Sequence, residues 1–213
     1  MHKALFSHVT TWVFDLDNTL YPPHMRLFDQ VDRLMTAVVM RATGADHAHA
    51  DHLRKLYWQE YGTTLAGLMA HHQIDPEQYL IDVHDIDFSV LRPDPELRAA
   101  IQRLPGRRIV YTNGSAPYAR SVVQARGLEG LFDAIYGVED AAYHPKPTAQ
   151  AFERVFARDG LNPGNAAMFE DDPRNLKVPH ELGMRTVLVA PEALSQSHIH
   201  HHTDDLTGFL NAL

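Results

Sequence analysis

The sequence predicts an α/β fold, a doubly wound parallel sheet interrupted near its start by a block of helices. Three observations carry this. Short apolar runs rich in β-branched and aromatic residues recur along the chain, and segments with helical spacing separate them. The interval from Tyr21 to about Val90 holds four successive helical patterns and no convincing strand. Strands alternating with helices imply right-handed crossovers and helices on both faces of one parallel sheet.

Five runs read as buried strands: Trp12 to Phe14, Ile109 to Tyr111, Ala134 to Tyr136, Ala167 to Phe169 and Thr186 to Val189. Between them Leu97, Ala100, Ile101 and Leu104 step along one helix face. Val122, Val123 and Ala125 precede a stop at Gly127, and Phe152, Val155 and Phe156 precede one at Gly160. In the strandless interval, Leu27, Phe28, Val31, Leu34, Met35 and Val38 build an apolar stripe that Gly44 ends. Leu53, Leu56 and Tyr57 follow, with Gly62 as stop, and then Leu65, Leu68 and Met69. Asp75 and Pro76 stand as N-cap and first-turn proline before Tyr79, Leu80 and Val83. The expected organisation is a core of residues 1–20 and 91–213 with a helical cap at 21–90, Leu91 to Pro95 being the return hinge.

Composition narrows the function. A chain of 213 residues, 45% hydrophobic and 22% charged, can bury a core, which excludes disorder as its main state. Lys and Arg total 19 against 27 Asp and Glu, a formal charge of −8 that repels a phosphate backbone, so no nucleic-acid partner is expected. The 15 His do not reverse that sign at neutral pH. Zero Cys excludes disulfides, thiolate zinc sites and thiol catalysis, and suits a reducing cytosol. No apolar run approaches the roughly 20 residues of a membrane span, and the N-terminus carries no signal-like apolar region. The expectation is a soluble cytoplasmic protein with no membrane partner.

Three strands end in residues that a buried sheet would not choose for packing. The first runs into Asp15, Leu16, Asp17, Asn18 and Thr19, the second into Thr112, Asn113, Gly114 and Ser115, and the fourth into Glu170, Asp171 and Asp172. Ligands of open parallel sheets bind outside the carboxyl ends of the strands, so these groups can converge. Asp15 and Asp17, two apart, emerge on the same side of an extended strand end and repel unless a positive charge lies between them. With Asp171 they make an all-oxygen site suited to Mg²⁺. Thr112 and Asn113 precede a helix with Pro117 in its first turn, so a hydroxyl and backbone N–H groups favour a phosphate there. Lys146, flanked by Pro145 and Pro147, can be held in place to neutralise transferred phosphoryl charge. Each residue alone has a plainer role: Asp in a turn or cap, Thr112 to Ser115 as a helix N-cap, Lys146 and the acidic triplet as solvated charges.

Taken together, DLDNT at 15 to 19, Thr112 with Asn113, Lys146, and the pair Asp171 and Asp172 resemble the four ordered motifs of the haloacid dehalogenase (HAD) superfamily. The resemblance covers the whole chain and implies a Rossmann-like core with an inserted cap. It implies that Asp15 attacks phosphorus and becomes an aspartyl phosphate, that Asp17 protonates the leaving oxygen and then deprotonates water, and that Thr112 and Lys146 hold the phosphoryl oxygens. Asp15, the backbone carbonyl of Asp17 and Asp171 would bind Mg²⁺, with Asp172 a supporting or alternate ligand. Asp17 argues against dehalogenation, because the dehalogenases of the superfamily lack a carboxylate at that place.

Leu20, Tyr21 and Pro22, with the run Glu60, Tyr61, Gly62 and Leu65 to Leu68, are similar to pyrimidine 5'-nucleotidases of this superfamily. The implied substrate is a small phosphorylated metabolite, a nucleoside 5'-monophosphate such as UMP or CMP. Asn113 and Gly114 join Thr112 and Lys146 at the phosphate, and Tyr21, Tyr57, Tyr61 or His71 are candidates for the base. A sugar phosphatase or phosphomutase of the same superfamily is the near alternative, and a non-catalytic nucleotide-binding protein the distant one. His47, His49 and His52, and His198, His200, His201 and His202, are read as loop or helix-edge residues rather than metal ligands.

Overall fold

The computed structural model describes residues 2–213. A short helix α1 (His2–Leu5) leads into β1 (Thr11–Phe14), and four helices follow before the sheet resumes: α2 (Leu27–Thr43), α3 (His47–Tyr61), α4 (Thr64–His71) and α5 (Pro76–Val83). The chain returns through α6 (Pro95–Gln102) to β2 (Arg107–Tyr111). It continues as α7 (Ala116–Ala125), β3 (Ala134–Tyr136), α8 (Ala149–Asp159), β4 (Ala166–Glu170), α9 (Lys177–Glu181), β5 (Arg185–Val189), β6 (His201–Thr203) and α10 (Leu206–Asn211). All strand pairings are parallel, and the strand order is β3-β2-β1-β4-β5-β6. The chain therefore winds outward in both directions from β1, the arrangement that opens a crevice at its carboxyl end.

The period of two in these strands explains the layers. Trp12 and Phe14 join Val110, Phe169 and Val187 on one face, whereas Val13 joins Ile109, Met168 and Leu188 on the other. Ile101, Val122 and Phe209, from α6, α7 and α10, cover the first face. Phe152, Val155 and Phe156 of α8 cover the second. Because β1 and β4 are buried along their whole length, they read as continuous apolar runs rather than alternating ones.

One local expectation changes. The histidine run contributes β6, an edge strand in which His201 pairs with Val187 and Thr203 with Val189, where a loop was expected. The run has no apolar alternation; its place depends on backbone pairing to β5. Pro179 is accommodated as the third residue of α9, where a helical N–H has no intrahelical partner to lose.

The helices between β1 and β2 are ended as their sequence predicts. Asp46, Thr63 and Asp75 accept backbone N–H bonds at the starts of α3, α4 and α5, and Gly44 and Gly62 close α2 and α3 with φ of 71° and 87°. Gly67 lies so close to α3 that a Cβ there would sit 2.3 Å from Tyr57 Cγ. The apolar residues of this insert are continuous with the first face of the sheet through Leu16, Leu20 and Tyr21.

Arg126, buried at the end of α7, joins the two segments that connect insert and sheet. Its guanidinium donates to the carbonyl of Leu20 on the outgoing segment, the carbonyl of Arg92 on the returning one, and Asp94 Oδ2 at 2.6 Å. Arg126→Met removes the donor from all three acceptors, of which the Leu20 carbonyl belongs to a buried residue and Asp94 is half-buried. The expected cost is about 3 kcal/mol of stability, read from the urea midpoint of the variant against the parent.

Candidate active site

Four loops at the carboxyl ends of the strands meet the insert around a cavity of about 660 Å³. Asp15 follows β1 directly and keeps the sheet bond from its N–H to Phe169 O at 2.9 Å. The chain then closes one tight turn, Leu20 N–H to Leu16 O at 2.9 Å, with Asn18 at φ 57°, and this turn brings Asp17 to the same cavity as Asp15. Thr112 extends β2 through its N–H to Tyr136 O. Its hydroxyl oxygen accepts the Gly114 N–H at 2.9 Å, which leaves the hydroxyl proton to donate to a ligand.

Lys146 is the centre of the charge arrangement. With 1% exposure it donates to Asp15 Oδ1 at 2.7 Å, Glu170 Oε2 at 2.7 Å and Tyr111 O at 3.1 Å. Its backbone is locked by a reciprocal pair, Lys146 N–H to Asn113 Oδ1 at 2.8 Å and Asn113 Nδ2 to Lys146 O at 3.0 Å. The Asn113 carboxamide therefore sets the lysine. From the insert side, Gly62 lies against the same segment, and a Cβ there would meet Lys146 O at 3.0 Å.

Four carboxylates, Asp15, Asp17, Glu170 and Asp171, surround this one ammonium in the cavity wall. Burial, then Glu170 and Asp17, push the Asp15 carboxyl up to about 8 against the pull of Lys146. Burial also raises Asp17, opposed by hydrogen bonds from Tyr118 and Tyr21. Asp171 lies well above the usual range through burial, Glu170 and Asp15. Burial alone would depress Lys146, but Asp15 and Glu170 outweigh it and raise its pKa. The excess of negative charge fits a hard divalent cation: Asp15, Glu170 and Asp171 each offer a carboxylate oxygen, all within 4.8 Å of one another.

Most residues singled out from the sequence meet here. Asp15, Asp17, Thr112, Asn113, Gly114, Lys146, Asp171 and Asp172 all line the cavity. Asp172 stands apart from the three-carboxylate cluster, because both its oxygens accept from Arg174, Nε to Oδ1 at 3.1 Å and Nη2 to Oδ2 at 2.6 Å. The Arg174 guanidinium lies 3.7 Å from the centre of the Trp58 ring of α3, so Asp172 anchors a contact between core and insert.

Neither Tyr21 nor Tyr61 lines this cavity, although both were expected at the substrate. Tyr21 is fully buried and donates to Asp17 Oδ1 at 2.7 Å; Tyr61 meets His71 and the edge of Tyr57 within the insert. Sequence reasoning missed Glu170 as the partner of Lys146, Asn18 as donor to Asp171 Oδ2 at 3.1 Å, and Tyr118 as donor to Asp17 at 2.6 Å. An acid adjoining the predicted ligand was a visible signal for Glu170. Tyr118 had none, since a tyrosine in a helix first turn reads as packing.

The raised carboxyls set a pH dependence. A carboxyl that titrates near 3.8 when unfolded and near 8 when folded stabilises the protonated folded state, a contribution lost as pH rises between those values. In chelator, melting temperature should therefore fall between pH 6 and pH 8.5. Added Mg²⁺ should raise it more at the higher pH, where fewer protons must be displaced. Asp171→Asn should remove most of the Mg²⁺ increment and Asp172→Asn should retain it, both read by differential scanning fluorimetry.

Comparison with known proteins gives the family and the fold. The family model described as haloacid dehalogenase-like hydrolase matches residues 9–183. Phosphate metabolism protein 8 of Saccharomyces cerevisiae is 28% identical over 193 residues, 82% of this chain and 60% of that protein, so the chain spans less than two thirds of its relative. CbbY from Rhodobacter sphaeroides, solved in complex with phosphate, superposes with a TM-score of 0.65 at 18% identity, covering 93% of this chain and 95% of its own. The HAD-hydrolase YfnB from Bacillus subtilis, solved bound to magnesium, gives 0.62 at 16% identity, covering 96% and 98%. At these identities the structures bear on the fold.

Proposed function

The chain belongs to the haloacid dehalogenase-like hydrolases, and on that premise we propose that it is a Mg²⁺-dependent phosphatase acting on a small phosphate monoester through a covalent phosphoryl-Asp15. The observation that carries this reading is the pairing of Asp15, held by the Lys146 ammonium, with a second carboxylate two residues on whose pKa burial raises. The first suits a nucleophile, the second a proton carrier.

In the first displacement an Asp15 oxygen bonds to phosphorus as the ester P–O bond breaks, and the proton of Asp17 passes to the leaving oxygen. In the second, Asp17 takes a proton from water, the water oxygen bonds to phosphorus, and the Asp15–phosphorus bond breaks. Both enzyme groups return to their starting state. The Thr112 hydroxyl donates to a phosphoryl oxygen, and Lys146, whose three protons go to Asp15, Glu170 and Tyr111 O, offsets the phosphoryl charge from beside Asp15. Asp15 and Asp171, with the Asp17 backbone, would hold Mg²⁺, while Glu170 holds Lys146. The cation supplies charge stabilisation at the phosphoryl group when bound.

The alcohol half of the ester is proposed to be a nucleoside, a pyrimidine one in the likeness carried by Tyr21 and Pro22. A cavity of about 660 Å³ falls in the range of small-molecule sites. Its insert wall combines apolar Phe28, Val31, Met35 and Leu65 with Trp58. Arg54 in that wall is already paired with Asp32 at 2.6 Å and Asp51 at 3.1 Å, which favours a neutral moiety over a second anionic group. The relative named for phosphate metabolism agrees with the class.

Asp15→Asn should reduce phosphate release by more than about a thousandfold. Its melting temperature in chelator should be unchanged or higher, because one of four crowded negative charges is gone. In a panel assayed for Mg²⁺-dependent phosphate release, UMP and CMP should exceed purine nucleotides and sugar phosphates in kcat/KM. A flat profile would remove the pyrimidine assignment and leave the phosphatase one standing.

A further inference from the structure

Two buried phenols converge on one oxygen of Asp17. Tyr118 in the first turn of α7 donates to Oδ1 at 2.6 Å, and Tyr21, four residues beyond Asp17, donates to the same atom at 2.7 Å. An sp² carboxylate oxygen has two in-plane lone pairs, so Oδ1 is saturated. Among the described residues Oδ2 makes no hydrogen bond, and it is the oxygen left for a ligand in the cavity that Asp17 lines.

The Tyr118 ring is itself set from the insert. His84, at the end of α5, stacks flat on it with ring centres 4.1 Å apart and planes 6° from parallel, and His84 Nδ1 lies 3.2 Å from Ser115 Oγ. Gly114 leaves the ring its place: a Cβ there would sit 2.9 Å from Tyr118 Cδ1. Burial holds His84 down to about 4, so the stacked imidazole is neutral at physiological pH. Burial and the Asp17 charge raise both phenols above their ordinary value, which keeps them donors and excludes them as proton sources.

We propose that Tyr118 and Tyr21 are positioning residues that hold Asp17 with Oδ2 as its proton-carrying oxygen, and that His84 sets Tyr118, so that proton delivery depends on the insert being seated on the core. The inference rests on the role given to Asp17 above. In the first displacement the proton leaves Oδ2 for the ester oxygen as the P–O bond breaks; in the second, Oδ2 receives a proton from water. Oδ1 keeps both phenolic hydrogen bonds throughout, and neither tyrosine gains or loses a proton.

The test uses two esters of similar size, benzyl phosphate and 4-nitrophenyl phosphate. The alkoxide leaving group of the first needs a proton; the nitrophenolate of the second does not. kcat/KM ends at formation of the phosphoryl-enzyme, so later hydrolysis does not enter it. For Tyr118→Phe, kcat/KM should fall at least about tenfold further on the benzyl ester than on the nitrophenyl ester. Tyr21→Phe should move the ratio in the same direction. His84→Ala should follow Tyr118→Phe, and His84→Phe, which keeps a flat ring on Tyr118, should restore the ratio. Equal losses on both esters, as misfolding or a packing role would give, overturn the proposal, as does an unchanged ratio in Tyr118→Phe. A parent protein that hydrolyses neither ester with Mg²⁺ present overturns the phosphatase reading with it.

Discussion

One buried ammonium among four carboxylates is the constraint around which the site is arranged. Lys146 cannot neutralise Asp15, Asp17, Glu170 and Asp171 alone, and burial raises the carboxyls of Asp15, Asp17 and Asp171 above their ordinary value. An arrangement with this much unrelieved charge is costly in the absence of a ligand. The surrounding hydrogen bonds are accordingly specific. Asn113 clamps the lysine backbone at both its polar atoms, Glu170 accepts a second proton of the lysine, and Asn18 holds an Asp171 oxygen.

The sheet makes this concentration possible. Parallel pairing of β1 with both β2 and β4 brings three strand ends level, so residues about 95 and 155 positions apart in sequence share one crevice. Their aromatic and branched neighbours, Phe14, Phe169, Val110 and Val13, pack on both faces and give the loops a rigid base. Loops alone would not hold like charges at hydrogen-bonding distance.

Insert and core are tied at three points. Arg126 ties both connecting segments, Gly62 abuts the Lys146 backbone, and Trp58 lies under the Arg174 guanidinium that Asp172 holds. His84 adds a fourth contact, through Tyr118 to Asp17. Asp172 thereby has a use distinct from its acidic neighbours: it spends its charge on a contact between core and insert, whereas Asp171 spends its charge in the cluster. Trp58 remains 45% exposed, consistent with a contact at the rim of the cavity.

The sequence by itself determined five of the six strands, because short apolar runs and helix stops such as Gly44, Gly62 and Gly160 are local properties of the chain. It also pointed Asp15, Asp17, Thr112 and Asp171 at one crevice, since each follows a strand whose direction the crossovers dictate, whereas Lys146 was expected there only from the order of the motifs the chain resembles. Only the tertiary structure decided what each neighbour does. Glu170 and Asp172 have the same charge and flank the same residue, yet one faces Lys146 and the other Arg174. Tyr21 and Tyr61 are equally aromatic, yet one lies buried beneath Asp17 and the other within the helical insert. Strand β6 arises from a run of histidines with no pattern of its own. Such roles follow from which partner a side chain meets across long sequence separations, and no local periodicity encodes that.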